Sequence, residues 1–302
     1  MPAGHASGVT ALAEPTSRGG SANAPEPATV MEQAHSENFP VANRLLPAGV
    51  RDDLLAVYGF ARVVDDAGDE AAGDRLALLD ALERDLQRAF EPAGTPTNPL
   101  IAALGPTIVA HSLPMEPFRR LIEANRRDQA VHRYRTFDEL VGYCTLSADP
   151  VGELVLRIFE VATPERIALS NRVCTGLQLV EHWQDVAEDY RRGRIYLPAE
   201  DLERFGVAEQ ELGACTATPA FKRLMAFEVT RARRLLSEGA PLIRTLTGRT
   251  AFAVAAFVAG GRSALAAIER ADFDVLASRP RPGAALRAYQ LMATLLRREG
   301  RW

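Results

Sequence analysis

Apolar residues recur along most of this chain at the three-to-four-residue spacing of amphipathic helices. Between residues 51 and 70, Leu54, Leu55, Val57, Tyr58, Ala61 and Val64 form a broad apolar face, and residues 74–90 repeat it with Leu76, Leu79, Leu82, Leu86 and Phe90. Pro and Gly in "EPAGTPTNP" (91–99) mark a loop. The same periodicity predicts helices at about 99–112, 115–129, 137–147, 150–161, 164–191, 218–238 and 249–271, with shorter pieces around 199–213 and 240–247. Gly193 in "RRGRIYLP" stops the 164–191 helix, and Pro198 prevents early resumption. A last amphipathic stretch, "GAALRAYQLMATLLRR", follows the "RPRP" break. No alternating β pattern, GxGxxG, P-loop or repeat interrupts the series, so the expected fold class is all-α, with one compact domain of many long helices.

Composition narrows this little. The 302 residues are 47% hydrophobic and 25% charged, with a net charge of −4, which is ordinary for a globular protein. No basic block is present, so no nucleic acid partner is expected. Cys144, Cys174 and Cys215 lie far apart without a CxxC pair. That argues against a disulfide framework or zinc site and makes a reducing cytoplasm the expected compartment. Residues 1–34, mostly Ala, Gly, Pro, Ser and Thr, are expected to be a disordered leader to a catalytic domain at 35–302. They lack the basic start and apolar core of a secretory signal. The most apolar stretch, "AFAVAAFVAG" (251–260), falls short of the ~20 residues a bilayer span needs and reads as a buried helix.

Two acidic clusters change the picture. In "RVVDDAGDE" (62–70), Asp65 and Asp69 stand four residues apart and project from one helix face, with Asp66 and Glu70 rotated by about 100°. Such a cluster is ordinarily a solvated surface or a cap. In "QDVAEDYRRGR", however, Asp185 and Asp189 repeat the spacing, Glu181 lies one turn earlier on the same face, and Gln178 is close to that stripe. Like charges at this spacing weaken a helix unless something neutralises them. Mg²⁺ takes near-octahedral oxygen ligands, typically one or two carboxylates with substrate phosphates. Two helices facing each other with these pairs could therefore hold Mg²⁺ around one diphosphate. Arg62, one turn before Asp65, and Arg191, Arg192 and Arg194 after Asp189 supply the cationic complement, because a guanidinium fork matches phosphate oxygens.

These segments resemble the squalene/phytoene synthase family of head-to-head prenyl synthases. "VYGFARVVDDAGDE" is similar to its first aspartate-rich motif and "QLVEHWQDVAEDYRRGRIYLP" to its second, within a resemblance covering roughly residues 36–300. The resemblance implies an isoprenoid synthase fold, with helices around a central apolar cavity. It implies Mg²⁺ held by Asp65, Asp69, Asp185 and Asp189, and diphosphate contacted by Arg62 and Arg194 with Tyr58. Tyr143 would sit near the cationic centre, Gln178 on the wall of the second motif, and Asp66, Glu70 and Glu188 would be supporting acids. "SENFPVANRLLP" (36–47), "YCTLSADPVGELVL" (143–156) and "HWQDVAEDYRRGRIYLP" look like the hydroxysqualene synthase branch, which converts presqualene diphosphate and water to hydroxysqualene without NADPH. Phytoene synthases and eukaryotic squalene synthases usually show "VAG" where this chain has "SADP". The chain departs from the family at Glu181 and Asp149, where Asn is general, and at Asn125, where an aromatic is common. Glu181 is thereby an added metal-ligand candidate.

Phe252 and Phe257 are candidate walls of an apolar channel, against a background in which most such aromatics are core packing. Arg191 and Arg192 read as solvated or capping groups. None of His5, His35, His111, His132 and His182 forms a ligand spacing, so each is expected in the core or on the surface. Helix 284–298 sets Leu286, Tyr289, Leu291, Met292, Leu295 and Leu296 beside Arg287, Arg297 and Arg298. It is expected to pack on the domain, the alternative being a peripheral contact with the inner membrane surface. The rival activities are phytoene or squalene synthesis from two prenyl diphosphates, and a non-catalytic lipid-binding relative, which would be expected to lose the aspartates.

Overall fold

The computed structural model describes residues 47–296, which contain helices and no strands. The expected leader, and the part of "SENFPVANRLLP" before Pro47, lie outside the described residues. In chain order the α-helices are α1 (Ala48–Asp69), α2 (Arg75–Phe90), α3 (Pro99–His111), α4 (Glu116–Asp128), α5 (Phe137–Ser147), α6 (Asp149–Ile158), α7 (Pro164–Arg191), α8 (Ala199–Phe205), α9 (Pro219–Gly239), α10 (Leu242–Thr245), α11 (Gly248–Arg270) and α12 (Ala284–Leu296). A 3₁₀ turn, Glu209–Gly213, stands between α8 and α9.

Local chemistry sets the boundaries. Asp74, Thr136, Thr163 and Thr218 cap α2, α5, α7 and α9 by accepting a backbone N–H from the first turn. Pro164 and Pro219 stand in those first turns, where no N–H is missed. The 28-residue α7 closes at Gly193, whose φ of +82° only glycine adopts freely, and Arg194 then donates its N–H to the Asp189 carbonyl at 2.9 Å. Beyond that turn the Arg194 side chain reaches Asp69 at the end of α1.

The helices bury two main clusters. One joins α1–α4 to α6 through residues such as Phe60, Leu79, Ile101, Phe118 and Leu154. The other wraps α7, α9 and α5 around Trp183, Phe221, Leu224 and Leu236. Phe60 and Phe118 meet edge to face at 5.1 Å, an attractive aromatic geometry. Helix α11 is long and apolar enough to cross a membrane by length and composition, and 61% of its most apolar window is buried against the other helices. Phe257 on it packs into the α1–α4 cluster, whereas Phe252 is 40% exposed and does not join the packed wall expected of it.

Close packing of α9 on α7 depends on Gly239. A Cβ there would lie 2.8 Å from the Leu169 carbonyl oxygen and from the Val173 nitrogen, both backbone atoms that cannot yield. Gly239→Ala is expected to destabilise the protein by about 1–3 kcal/mol, as overpacking does. Gly260→Ala, in open space on α11, should be neutral or stabilising by up to ~1 kcal/mol. Urea unfolding of both variants checks the pair, and equal effects would contradict the packing argument.

Candidate active site

Both aspartate pairs lie at the C-terminal ends of their helices, and the fold brings those ends together. Asp65 and Asp69 occupy the last two turns of α1, and Asp185 and Asp189 the last two of α7. Arg194 spans the gap, its Nη2 donating to Asp69 Oδ1 at 2.5 Å. One ion pair thus joins residues 125 apart in sequence. Burial works against the Arg194 charge, but Asp69, Tyr196 and Asp128 more than offset it and hold its pKa above the usual value.

The carboxylates crowd one another. Asp65 keeps solvent-accessible surface while protein surrounds it closely, as on the wall of a concavity. Burial raises its pKa to about 6, the neighbouring Asp69 and Asp66 add to the rise, and the Asn125 amide, donating to Asp65 Oδ1 at 3.0 Å, opposes it. Asp189 is pushed to about 7 by burial and then by Asp185. Asp185 is raised by burial against the pull of Arg279, whose Nε lies 2.8 Å from Asp185 Oδ1. Each aspartate pair is therefore answered by an arginine that arrives from elsewhere in the chain.

The other expected residues are placed as follows. Arg62 pairs along its own helix with Asp66 at 2.8 Å and Glu70 at 3.4 Å, so those two acids orient it. Tyr58, half-buried, packs against the α1–α4 cluster two turns before Asp65. Glu188 pairs with the exposed Arg192 at 2.8 Å. Gln178 contacts His182 across 3.3 Å. Glu181 is exposed on α7. Among the described residues, no three acidic, His or Cys side chains converge on a single ion position. The metal expectation thus meets two separate pairs, not a closed cage.

Two residues of the site, Asp128 and Arg279, carry no paired-charge signal in the helical spacings. Asp128, buried at the end of α4, accepts a hydrogen bond from Tyr143 Oη at 2.7 Å, and burial raises its pKa to about 6. Asn125 and Asp128 continue the buried stripe of Phe118, Leu121 and Ile122, so two polar residues on an apolar face were the available signal. Arg279 sat in a segment read only as a helix break. Gln184 holds that segment down by donating to the Pro280 carbonyl at 2.5 Å. Around Tyr143, the rings of Tyr134, Tyr196 and His182 stack, His182 on Tyr196 at 3.7 Å. Burial and the nearby Arg194 press the His182 pKa down to about 3, so this ring stays neutral as a core histidine. A small recess, with room for about one water, is lined by His182, Asp189, Arg194 and Tyr196 together.

This all-α arrangement is shared with solved squalene and dehydrosqualene synthases. A squalene synthase, HpnC, from Alicyclobacillus acidocaldarius superposes with a TM-score of 0.76 at 46% identity, covering 82% of this chain and 94% of its own. A dehydrosqualene synthase has the same fold at a TM-score of 0.79 and 24% identity, over 89% and 94% of the two chains. The squalene/phytoene synthase model matches residues 33–287, and the chain belongs to that family. The Synechococcus elongatus 15-cis-phytoene synthase is 32% identical over 81% of this chain and 83% of its own. The Rhodopseudomonas palustris hydroxysqualene synthase is 35% identical over 68% and 70%.

The raised pKa values set a pH dependence. A carboxylic acid whose folded pKa lies above its unfolded value stabilises the fold below the unfolded pKa, and that stability is lost as pH rises through the folded pKa. For Asp65 and Asp128, near 6, and Asp189, near 7, the loss falls between about pH 4 and 7. In EDTA, the thermal midpoint is expected to fall across this window, and Asp189→Asn should flatten the fall. An identical slope in the variant would show that Asp189 is not under strain.

Proposed function

We propose that this protein carries out the Mg²⁺-dependent conversion of presqualene diphosphate and water to hydroxysqualene and diphosphate. The observation that carries the reading is the joining of two aspartate pairs at one mouth by Arg194. The 35% identity to the Rhodopseudomonas palustris hydroxysqualene synthase and the "SADP" segment favour this branch. The donor set suits Mg²⁺: all the oxygens are hard, and burial, with neighbouring carboxylates adding to it, raises the pKa of Asp65 and Asp189. Asp65, Asp69, Asp185 and Asp189 would hold the ions, with Glu181 as a further oxygen ligand at the margin. Bound Mg²⁺ would supply charge stabilisation for the departing diphosphate.

The residues of the chain do the remainder. Arg194 and Arg279, paired now with Asp69 and Asp185, can exchange a carboxylate for diphosphate oxygens, while Arg62 is held at the same helix end by its two acids. Tyr58 and Gln178 flank this mouth on α1 and α7. Breaking the carbon–oxygen bond to diphosphate leaves a cyclopropylcarbinyl cation, which opens and rearranges to an allylic cation that a tyrosine face can stabilise. The Tyr143 hydroxyl, donating to Asp128, keeps its ring turned toward its aromatic neighbours. One water then forms the new carbon–oxygen bond, and its proton leaves with the diphosphate or to solvent. The apolar helices exclude further water. The protein would act in the cytoplasm.

A second reading has its own support. The 32% identity to a phytoene synthase over 81% of the chain favours condensation of two prenyl diphosphates instead. Incubation with presqualene diphosphate and Mg²⁺, without NADPH, separates the two. Hydroxysqualene is the expected product by mass spectrometry, and its absence together with phytoene from geranylgeranyl diphosphate would overturn the first reading. Asp65→Asn and Asp185→Asn should each lower kcat by at least ~100-fold. Arg279→Gln should lower kcat/KM by roughly 10–100-fold, the worth of one charge-assisted hydrogen bond; unchanged kinetics would remove Arg279 from the site.

A further inference from the structure

Helix α12 is apolar on two opposite faces, and only one of them is packed. Leu286 and Thr294 are buried against α11, where Arg262 Nη1 donates to Thr294 Oγ1 at 3.2 Å. On the other side Ala285, Ala288, Tyr289, Met292 and Leu296 fall within an arc of about 100° at helical spacing. Tyr289 is 64% exposed, Met292 55% and Leu296 75%. None of these five outward positions carries a charge, although a solvent-facing stripe normally does. The stripe begins six residues after Arg279, which is pinned to the second aspartate pair. Helix, clamp and site mouth therefore form one continuous piece of chain.

Charge selects the occupant. Residues 279–302 contain six arginines and one acid, a net +5 in a chain whose total is −4. Arg281 and Arg287 are exposed, and "RREGRW" follows directly on Leu296. A second copy of the chain on this face would set like charges against each other. An apolar stripe flanked by arginines and followed by a tryptophan instead matches a helix lying in the plane of an anionic lipid surface. We propose that the outer face of α12, through Tyr289, Met292 and Leu296, docks the protein on the surface of an anionic bilayer. This proposal is independent of which prenyl diphosphate the site takes.

Co-sedimentation of the full chain with vesicles tests it. Vesicles of phosphatidylcholine with about one-third phosphatidylglycerol should pellet the protein, pure phosphatidylcholine should not, and high salt should release it. The combined Tyr289→Ser, Met292→Ser and Leu296→Ser variant should bind the anionic vesicles at least ~10-fold more weakly, with an unchanged thermal midpoint. Should that variant misfold, Arg297→Gln, Arg298→Gln and Arg301→Gln together should weaken binding by a similar factor. No binding to anionic vesicles, equal binding to neutral ones, or retained binding by the folded serine variant would each overturn the proposal. A dimer that the serine substitutions dissociate, without vesicle binding, would assign the face to a second copy instead.

Discussion

Repulsion among carboxylates at the ends of two helices is the constraint around which this structure is organised. Asp65 and Asp69 on α1 and Asp185 and Asp189 on α7 set like charges one turn apart, and at Asp189 burial and then Asp185 hold the pKa near 7. The fold answers with arginines from outside both helices: Arg194 across the Gly193 turn, and Arg279 from the segment before α12. Asn125 adds a neutral donor to Asp65. These contacts tie together pieces of chain far apart in sequence.

That arrangement has a consequence for chemistry. A carboxylate–arginine pair half exposed at a mouth is worth little to stability, so breaking it costs the fold little. Stability comes instead from the two apolar clusters and from close contacts such as α9 on α7 at Gly239. The division lets the mouth stay electrostatically strained while the body stays rigid, which is a common condition at functional sites.

The aromatic and polar groups behind the mouth extend the same logic. Tyr143 and Asp128 satisfy one another in a buried setting, and His182 is kept neutral by burial and by Arg194. A neutral histidine stacked on Tyr196 adds ring surface without adding a charge that would compete with the arginines. Membership of the squalene/phytoene synthase family places these groups in a prenyltransferase-type enzyme.

Helix type, approximate helix boundaries and the paired aspartates were legible in the sequence, because each depends on spacings of three and four residues within one helix. The 164–191 helix could be read to its last residue, since Thr163, Pro164 and Gly193 are local signals. Asp128 and Arg279 were not legible. Neither has a periodic partner nearby, and each acquires its role from a side chain 15 residues away in the case of Tyr143, or in another helix in the case of Asp185. The burial of Phe252 was misjudged for the same reason: periodicity says which residues share a face, and not which neighbour covers that face. Sequence alone therefore determined the helices and the acidic chemistry they carry. Tertiary structure decided which arginine meets which aspartate, which tyrosine is anchored, and which apolar stripe of α12 is left facing outward, because those outcomes rest on contacts between segments far apart in the chain.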